Sequence, residues 1–442
     1  MNSESFASGV QSATVAQPVL RGSSPREMKN LHINEDLKKL LRSNSAFLES
    51  LGVNPMYDAR IEEVNQRKIR IGNKWLADFA SCNYLGFDLD PEIIASIQPV
   101  IEKWGTHPSW SRLLGTPYLY EEAEEEFSKL LGVEDALALP NCTQISHYCI
   151  FILSEGGEIF LDKLSHRTLY EGAKVAKGMG ATLTYFKSTE LEDLEQRLKN
   201  STAPKKLICV DGVFSMHGRY ADIPSLAALA RKYDALLYID DAHGFGVVGE
   251  RGADESSPYG KKGNSIVNYY GESYDNIILI TALSKSYSSY MAMITCSKEL
   301  KRYFKSMVSP YLYSGPVPFA SLATALKGFE VNRTRGDAIR ADLYRKSKKL
   351  NDAINAMGLR NENNTDFPIF NFYLVDPSKV DEVSTYLFQE GIYVTLCPYP
   401  MVSKNDVGFR VQITAANTDE EVDHLIKVIE NLQNLVELQK RL

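Results

Sequence analysis

Seven short apolar runs, separated by stretches with helical periodicity, occupy residues 136–296 and leave this chain few folds to choose from. They are ALAL (136–139), EIFL (158–161), TLTYF (182–186), LICV (207–210), LLYI (236–239), NIILIT (276–281) and MAMITC (291–296). Helices are expected between them at 143–153, 168–177, 191–199 and 225–233, after two earlier ones at 93–104 and 120–131. Strands joined by helices of this length make right-handed βαβ crossovers, so the pattern predicts a mostly parallel sheet covered on both faces. The last run follows its predecessor too closely for a crossover helix and should run antiparallel.

In open α/β sheets of this kind ligands sit at the carboxyl edge of the strands. The run LLYI delivers Asp240 to that edge, followed by Asp241, His243 and glycines at 244, 246, 249 and 252, which imply a tight, irregular loop. Lys285 follows NIILIT in the same strand-then-loop context. A buried acid, a nearby imidazole and a lysine at the end of a later strand together suggest a site for pyridoxal phosphate. The lysine would hold the aldehyde as a Schiff base, and the acid would keep the pyridine nitrogen protonated. Taken singly, each feature has a plainer reading: an ordinary strand-to-loop junction, and a solvated surface lysine.

A chain of 442 residues has room for two or three domains, and 44% hydrophobic with 24% charged residues is the composition of a soluble enzyme. The formal net charge of −7, with no dense basic stripe, speaks against a nucleic-acid partner. Six cysteines without a Cys-x-x-Cys pair speak against structural zinc and favour reduced thiols in a cytoplasmic protein. No apolar run approaches the roughly 20 residues of a membrane span, and the N-terminus lacks a secretion signal. No G-x-G-x-x-G opens the first βα unit, which leaves a dinucleotide-binding protein the weaker reading.

Residues 1–30 lack periodicity and read as a disordered tail. Residues 31–75 form an N-terminal arm, helical over 34–51 by the spacing of Leu37, Leu40, Leu41, Phe47, Leu48 and Leu51, with strand signals at IRIG (69–72) and WLADFA (75–80) at its end. Residues 76–315 are the large domain. A small α+β domain follows over 316–442, with a helix at 319–357, strands at 368–375, 392–396 and 409–414, and a last helix opened by Thr418 and Glu421 in capping-box spacing.

Six segments carry a resemblance: NYLGF (83–87), LSH (164–166), DGVFSMHG (211–218), DDAHGFGVVGERG (240–252), SK (284–285) and RVQITAA (410–416). In this order they make the chain, from about residue 45 onward, similar to the α-oxoamine synthase family of fold-type-I pyridoxal phosphate enzymes. That resemblance implies an α/β fold-type-I transferase that condenses an amino acid with an acyl thioester, on coenzyme A or a carrier protein, usually with decarboxylation, to give an α-amino ketone. By the same resemblance Lys285 is the Schiff-base lysine and the acid/base at the substrate α-carbon, and Asp240 pairs with the pyridine N–H. His243 bonds the ring's phenolic oxygen and polarises the thioester carbonyl. His166 stacks on the ring, though it also suits the N-cap of the following helix, and Ser215 assists near the phenolic oxygen. Main-chain N–H groups of Asn141 and Cys142 hold the phosphate. Ser314 reaches the phosphate of a neighbouring subunit, which implies a homodimer, and Arg410 with Asn83 takes the substrate carboxylate. Two alternatives stay open: an aminotransferase or lyase on the same scaffold, and a non-catalytic partner subunit of a serine palmitoyltransferase-like complex.

The chain departs from the family pattern at several points. Pro140-Asn141 stands where a Ser-Gly or Thr-Gly pair is usual, and GTHPSWSRLLG (105–115) with Tyr120 replaces a Gly/Ser-rich turn and its histidine. Ser286 to Tyr290 replace glycines, Ala282 replaces a hydroxyl residue, and Cys82 stands where an asparagine is expected. Of the other histidines, His32 and His424 read as surface residues and His107 and His217 as pocket candidates.

Overall fold

All seven apolar runs become strands of one sheet. The computed structural model describes residues 35, 36, 38, 39, 54–252 and 257–441. The tail, His32 and most of the expected helical arm lie outside them. The four described residues of the expected helix 34–51, Glu35, Asp36, Lys38 and Lys39, are helical, with Lys38 Nζ 2.8 Å from Glu35 Oε1.

Three strands open the main body: β1 (Glu63–Asn65), β2 (Lys68–Ile71) and β3 (Lys74–Asp78). The large sheet is built from β4 (Asp135–Leu139), β5 (Glu158–Asp162), β6 (Thr182–Phe186), β7 (Lys206–Asp211), β8 (Leu236–Asp240), β9 (Ile277–Ala282) and β10 (Ala292–Cys296). Its order is β4-β10-β9-β8-β7-β5-β6. β10 runs antiparallel to both neighbours, as the short connection requires, and β9, β8, β7, β5 and β6 are mutually parallel. Alternate residues of β8 feed opposite faces: Leu237 and Ile239 join one core, and Tyr238 joins the other. That is why the run is apolar throughout instead of alternating.

The C-terminal part adds β11 (Ile369–Tyr373), β12 (Ile392–Tyr393), β13 (Thr395–Cys397) and β14 (Gly408–Gln412). β11, β14 and β13 form an antiparallel sheet, and β12 pairs in parallel with β3 to complete a second small sheet. The run expected as one strand at 392–396 is therefore split, with Val394 between two strands of different sheets. A helix of 38 residues, Phe319–Ala356, packs on the helices Ile97–Trp104 and Tyr118–Leu131. The last helix, Asp419–Leu432, carries the full Thr418/Glu421 capping box.

The helix expected over 93–104 is in fact two, Pro91–Ala95 and Ile97–Trp104, meeting at Ser96. Pro99 is the cause, since it has no N–H for the carbonyl of Ala95 and its ring crowds that carbonyl. All six cysteines are free. No helix among the described residues is long and apolar enough to cross a membrane.

Three of the four glycines after Asp240 are required by packing. Gly246 has φ +85°, and a Cβ there would lie 2.5 Å from Ser286 Cβ, beside the lysine loop. Gly244 and Gly249 press on the Asp241 carboxylate and the Lys261 carbonyl, whereas Gly252 has open space around it. Gly246→Ala should lose about 2–4 kcal/mol of stability from left-handed strain plus overpacking. Gly252→Ala should stay within about 0.5 kcal/mol of the parent. Urea unfolding of the two variants checks the contrast.

Candidate active site

The parallel register sets Asp211, the last residue of β7, beside Asp240, the last residue of β8. Lys285 lies three residues beyond the end of the adjacent β9. These three residues line a single cavity of about 170 Å³, together with Asn141, Cys142, Thr143, His166, Thr168, His243 and Ser284. Six of the residues singled out from sequence are thus brought together: Lys285, Asp240, His243, His166, Asn141 and Cys142.

Each wall has a local cause. Asp240 is buried, and its Oδ1 accepts from Ala242 N at 3.0 Å, which starts the turn that brings His243 round to the cavity. His243 Nδ1 lies 2.8 Å from Tyr84 Oη. Burial holds the Tyr84 hydroxyl well above its ordinary range, so the phenol stays neutral beside that nitrogen. The His243 imidazole is held well below its usual value, by burial first and then by the positive charges of Lys285 and Arg410. A neutral imidazole carries its proton on one ring nitrogen and accepts at the other.

His166 is the N-cap of helix Arg167–Gly178, with Nδ1 accepting from Thr168 N at 3.3 Å and lying 3.0 Å from Thr168 Oγ1, and it lines the cavity as well. The capping reading and the site reading hold together. Its main-chain N–H donates to both oxygens of Asp211, at 2.9 and 3.0 Å. The Asp211 carboxyl is pushed well up, by burial first and then by the Asp240 charge. His166 is itself lowered, chiefly by burial, with Asp240 opposing the effect.

Helix Cys142–Ser154 begins at the cavity wall. Asn141 caps it, Oδ1 accepting from Gln144 N at 2.9 Å, while the Asn141 carbonyl accepts from Ile145 N at 3.2 Å. The N–H groups of Cys142 and Thr143 have no acceptor among the described residues. Two free N–H groups at the positive end of a helix suit an anion without any basic side chain. Pro140-Asn141 thus keeps the main-chain cradle. Asn141 Nδ2 in turn donates to Tyr290 Oη at 3.0 Å, so one of the residues standing where glycines were expected braces the cap.

Four residues do not line the cavity. Arg410, on β14, donates from Nη1 to the carbonyl of Ser215 at 2.8 Å, so Ser215 meets it through main chain. Asn83 lies in the turn after β3, its N–H donating to Ser81 Oγ at 3.1 Å. The Ser314 hydroxyl donates to Pro310 O at 2.7 Å. Among the departures, Tyr120 is a buried strut whose hydroxyl accepts from Val317 N at 2.8 Å, and Ala282 lies in the cavity wall. Trp110 bonds Gly115 O at 2.9 Å. Neither pocket-candidate histidine reaches the cavity: His107 Nε2 lies 2.9 Å from Pro316 O, and His217 is half-buried against Phe214 with its pKa lowered to about 4, by desolvation first and then by Arg219. His424 is exposed, as expected.

Sequence reasoning singled out neither Asp211 nor Tyr84. The strand-end logic that found Asp240 applies equally to Asp211 after LICV. Tyr84 gives no such signal, because its bond to His243 joins positions 159 residues apart.

The set of groups fits pyridoxal phosphate: one amine, two carboxylates at neighbouring strand ends, two imidazoles and a main-chain anion cradle on one cavity. Residues 77–429 match the family Aminotransferase class I and II. The chain is 31% identical to the 8-amino-7-oxononanoate synthase of Thermosipho melanesiensis over 365 residues, 82% of this chain and 89% of that protein. It is 29% identical to the enzyme of the same name from Petrotoga mobilis, over 90% of this chain and 97% of the relative. Among solved structures, the serine palmitoyltransferase of S. paucimobilis with a bound PLP–myriocin aldimine superposes with a TM-score of 0.81 at 23% identity, covering 90% of this chain and 98% of the other. The chain therefore belongs to the α-oxoamine synthase family, fold-type-I enzymes of the aminotransferase class I and II group whose cofactor is pyridoxal phosphate.

Proposed function

We propose that this chain joins an amino acid to an acyl thioester, on coenzyme A or a carrier protein, with loss of carbon dioxide, and releases an α-amino ketone. The observation that carries this reading is that Asp240 and Lys285, from adjacent strands, share one cavity with two imidazoles and a free helix N-terminus. The resemblance to 8-amino-7-oxononanoate synthases along nearly their whole length supports the reaction class.

When bound, pyridoxal phosphate supplies an electron sink conjugated to the substrate α-carbon. Lys285 Nζ would hold the cofactor at its aldehyde carbon, and the same amine would move the proton at the substrate α-carbon. Asp240 keeps a proton on the pyridine nitrogen. His166 is assigned to the ring face, held there by its main-chain bond to Asp211. Cys142 and Thr143 N–H, next to Asn141, take the phosphate. His243 is assigned to the phenolic oxygen and the thioester carbonyl, and Ser215 beside the same oxygen. Arg410 with Asn83 takes the amino-acid carboxylate.

We further assign residues 76–315 to the cofactor-binding domain and 316–442 to the small domain. Two copies of the chain would share their sites through Ser314. The reduced cysteines fit a cytoplasmic setting.

Lys285→Ala should cut amino-acid-dependent release of free thiol from an acyl thioester by at least about 10³-fold, with circular dichroism unchanged. Release of oxo acid by the parent enzyme in the absence of any thioester would instead identify an aminotransferase or lyase. The neutral state of His243 is also testable. Its folded pKa lies below the unfolded value of about 6.5, so below that pH the unfolded chain takes up a proton that the folded imidazole refuses, and stability falls as pH falls. His243→Gln should therefore flatten the loss of stability from pH 6.5 downward. Nitrogen-15 spectra of the histidines should show no His243 titration centred near 6.5.

A further inference from the structure

β14 is two-faced. Phe409 and Val411 lie opposite Phe372 and Phe370 of β11 on the apolar side, with the Phe372 and Phe409 rings stacked at 4.8 Å. Arg410 lies opposite Asn371 of β11 and Thr395 of β13, and Gln412, two residues on, shares its face. A buried carboxamide on a central strand costs free energy unless both its ends are bonded. Gln412 is fully buried. In one orientation its nitrogen donates to Ala80 O at 3.1 Å and its oxygen accepts from Arg410 Nη2 at 3.2 Å. The reverse orientation would set nitrogen against the guanidinium and oxygen against a carbonyl, so the first is the state of the side chain. Cys82 Sγ stands 2.9 Å from the end of the amide that faces Arg410, and its S–H donates to the same oxygen.

The geometry points to Gln412 as the positioning residue of the substrate clamp. Arg410 is gripped from two sides, Nη1 by the Ser215 carbonyl and Nη2 by the Gln412 amide, which fixes the plane of the guanidinium. Nη2 keeps one N–H, and the second N–H of Nη1 meets only the weak acceptor Met216 Sδ at 3.9 Å, which a carboxylate would outcompete; two such donors in a fixed plane match a carboxylate. Cys82, where the family pattern has asparagine, orients the amide and does not itself hold the substrate. This inference rests on the reading of Arg410 as the carboxylate-binding residue.

The test uses holoenzyme and the cofactor's absorbance, without thioester. The probe is whichever of the twenty common amino acids perturbs the parent spectrum at the lowest concentration, compared with the amine left by removing its carboxyl group. Gln412→Met keeps the volume and removes the amide. It should raise the half-saturating amino-acid concentration about tenfold or more, the worth of a hydrogen bond to a charged group, and leave that of the amine within twofold. Equal weakening of both ligands would show a merely structural role and overturn the inference. Unchanged amino-acid binding in Gln412→Met alongside tenfold weakening in Arg410→Lys would overturn it while leaving the Arg410 reading in place. Unchanged binding in both variants, or a parent spectrum that no amino acid moves, would overturn the Arg410 reading and the inference with it.

Discussion

Parallel pairing of β7, β8 and β9 is the constraint from which the site follows. Because these strands run the same way and in register, their carboxyl ends place Asp211, Asp240 and the loop bearing Lys285 side by side. No single loop need be long, since the register does the positioning. A slip of one residue in β8 would turn Asp240 to the other face of the sheet and leave a buried carboxylate with nothing to hold. Side-chain packing on both faces of β8 opposes that slip, since Leu237 and Ile239 would leave one core and Tyr238 the other.

Charge burial then decides the protonation of the site. Asp211 and Asp240 end adjacent strands, and two buried carboxylates this close cannot both ionise freely. Burial and then the Asp240 charge push the Asp211 carboxyl up, and the His166 main-chain N–H that its oxygens accept opposes the shift only in part. On the other side, Tyr84 Oη stands 2.8 Å from His243 Nδ1, and burial, then the Lys285 and Arg410 charges, keep that ring uncharged.

What was legible in the sequence follows the range of the signals. The seven-stranded sheet, its single antiparallel strand and the strand-end residues Asp240 and Lys285 rest on local periodicity and short connections, which a sequence displays directly. The capping box at Thr418 is equally local. The break at Ser96 was also written there, in Pro99, and went unread because the apolar spacing continues across it. Tyr84, Gln412 and the split at Val394 were hidden for a different reason. Each depends on which distant segment arrives beside it: Gln412 finds Ala80 across more than 300 residues, and Val394 divides two sheets that exist only once β3 and β14 are in place. The alternation in 409–414 does show that Arg410 and Gln412 share a face, but not what meets that face.

The segment after Lys285 shows how side chains take over work expected of glycine. Tyr287 is buried, its ring 5.1 Å from both Phe245 and Phe329 and 5.4 Å from Phe87. Gly328 admits it, since a Cβ there would come within 2.9 Å of the Tyr287 ring. Ser288 takes φ +53°, a conformation that costs a non-glycine residue about 1 kcal/mol or more. Its N–H donates to Lys285 O at 3.0 Å, and Ser289 Oγ lies 2.7 Å from Thr324 Oγ1. Tyr290 then reaches back to brace Asn141 at the anion cradle. The turn is therefore held by an aromatic anchor at one end and a phenol at the other, and the small strain at Ser288 is offset by the packing of Tyr287. The departure from glycine consequently ties the lysine loop to the helix that begins at Cys142, so the lysine and the cradle are positioned by one connected set of side chains.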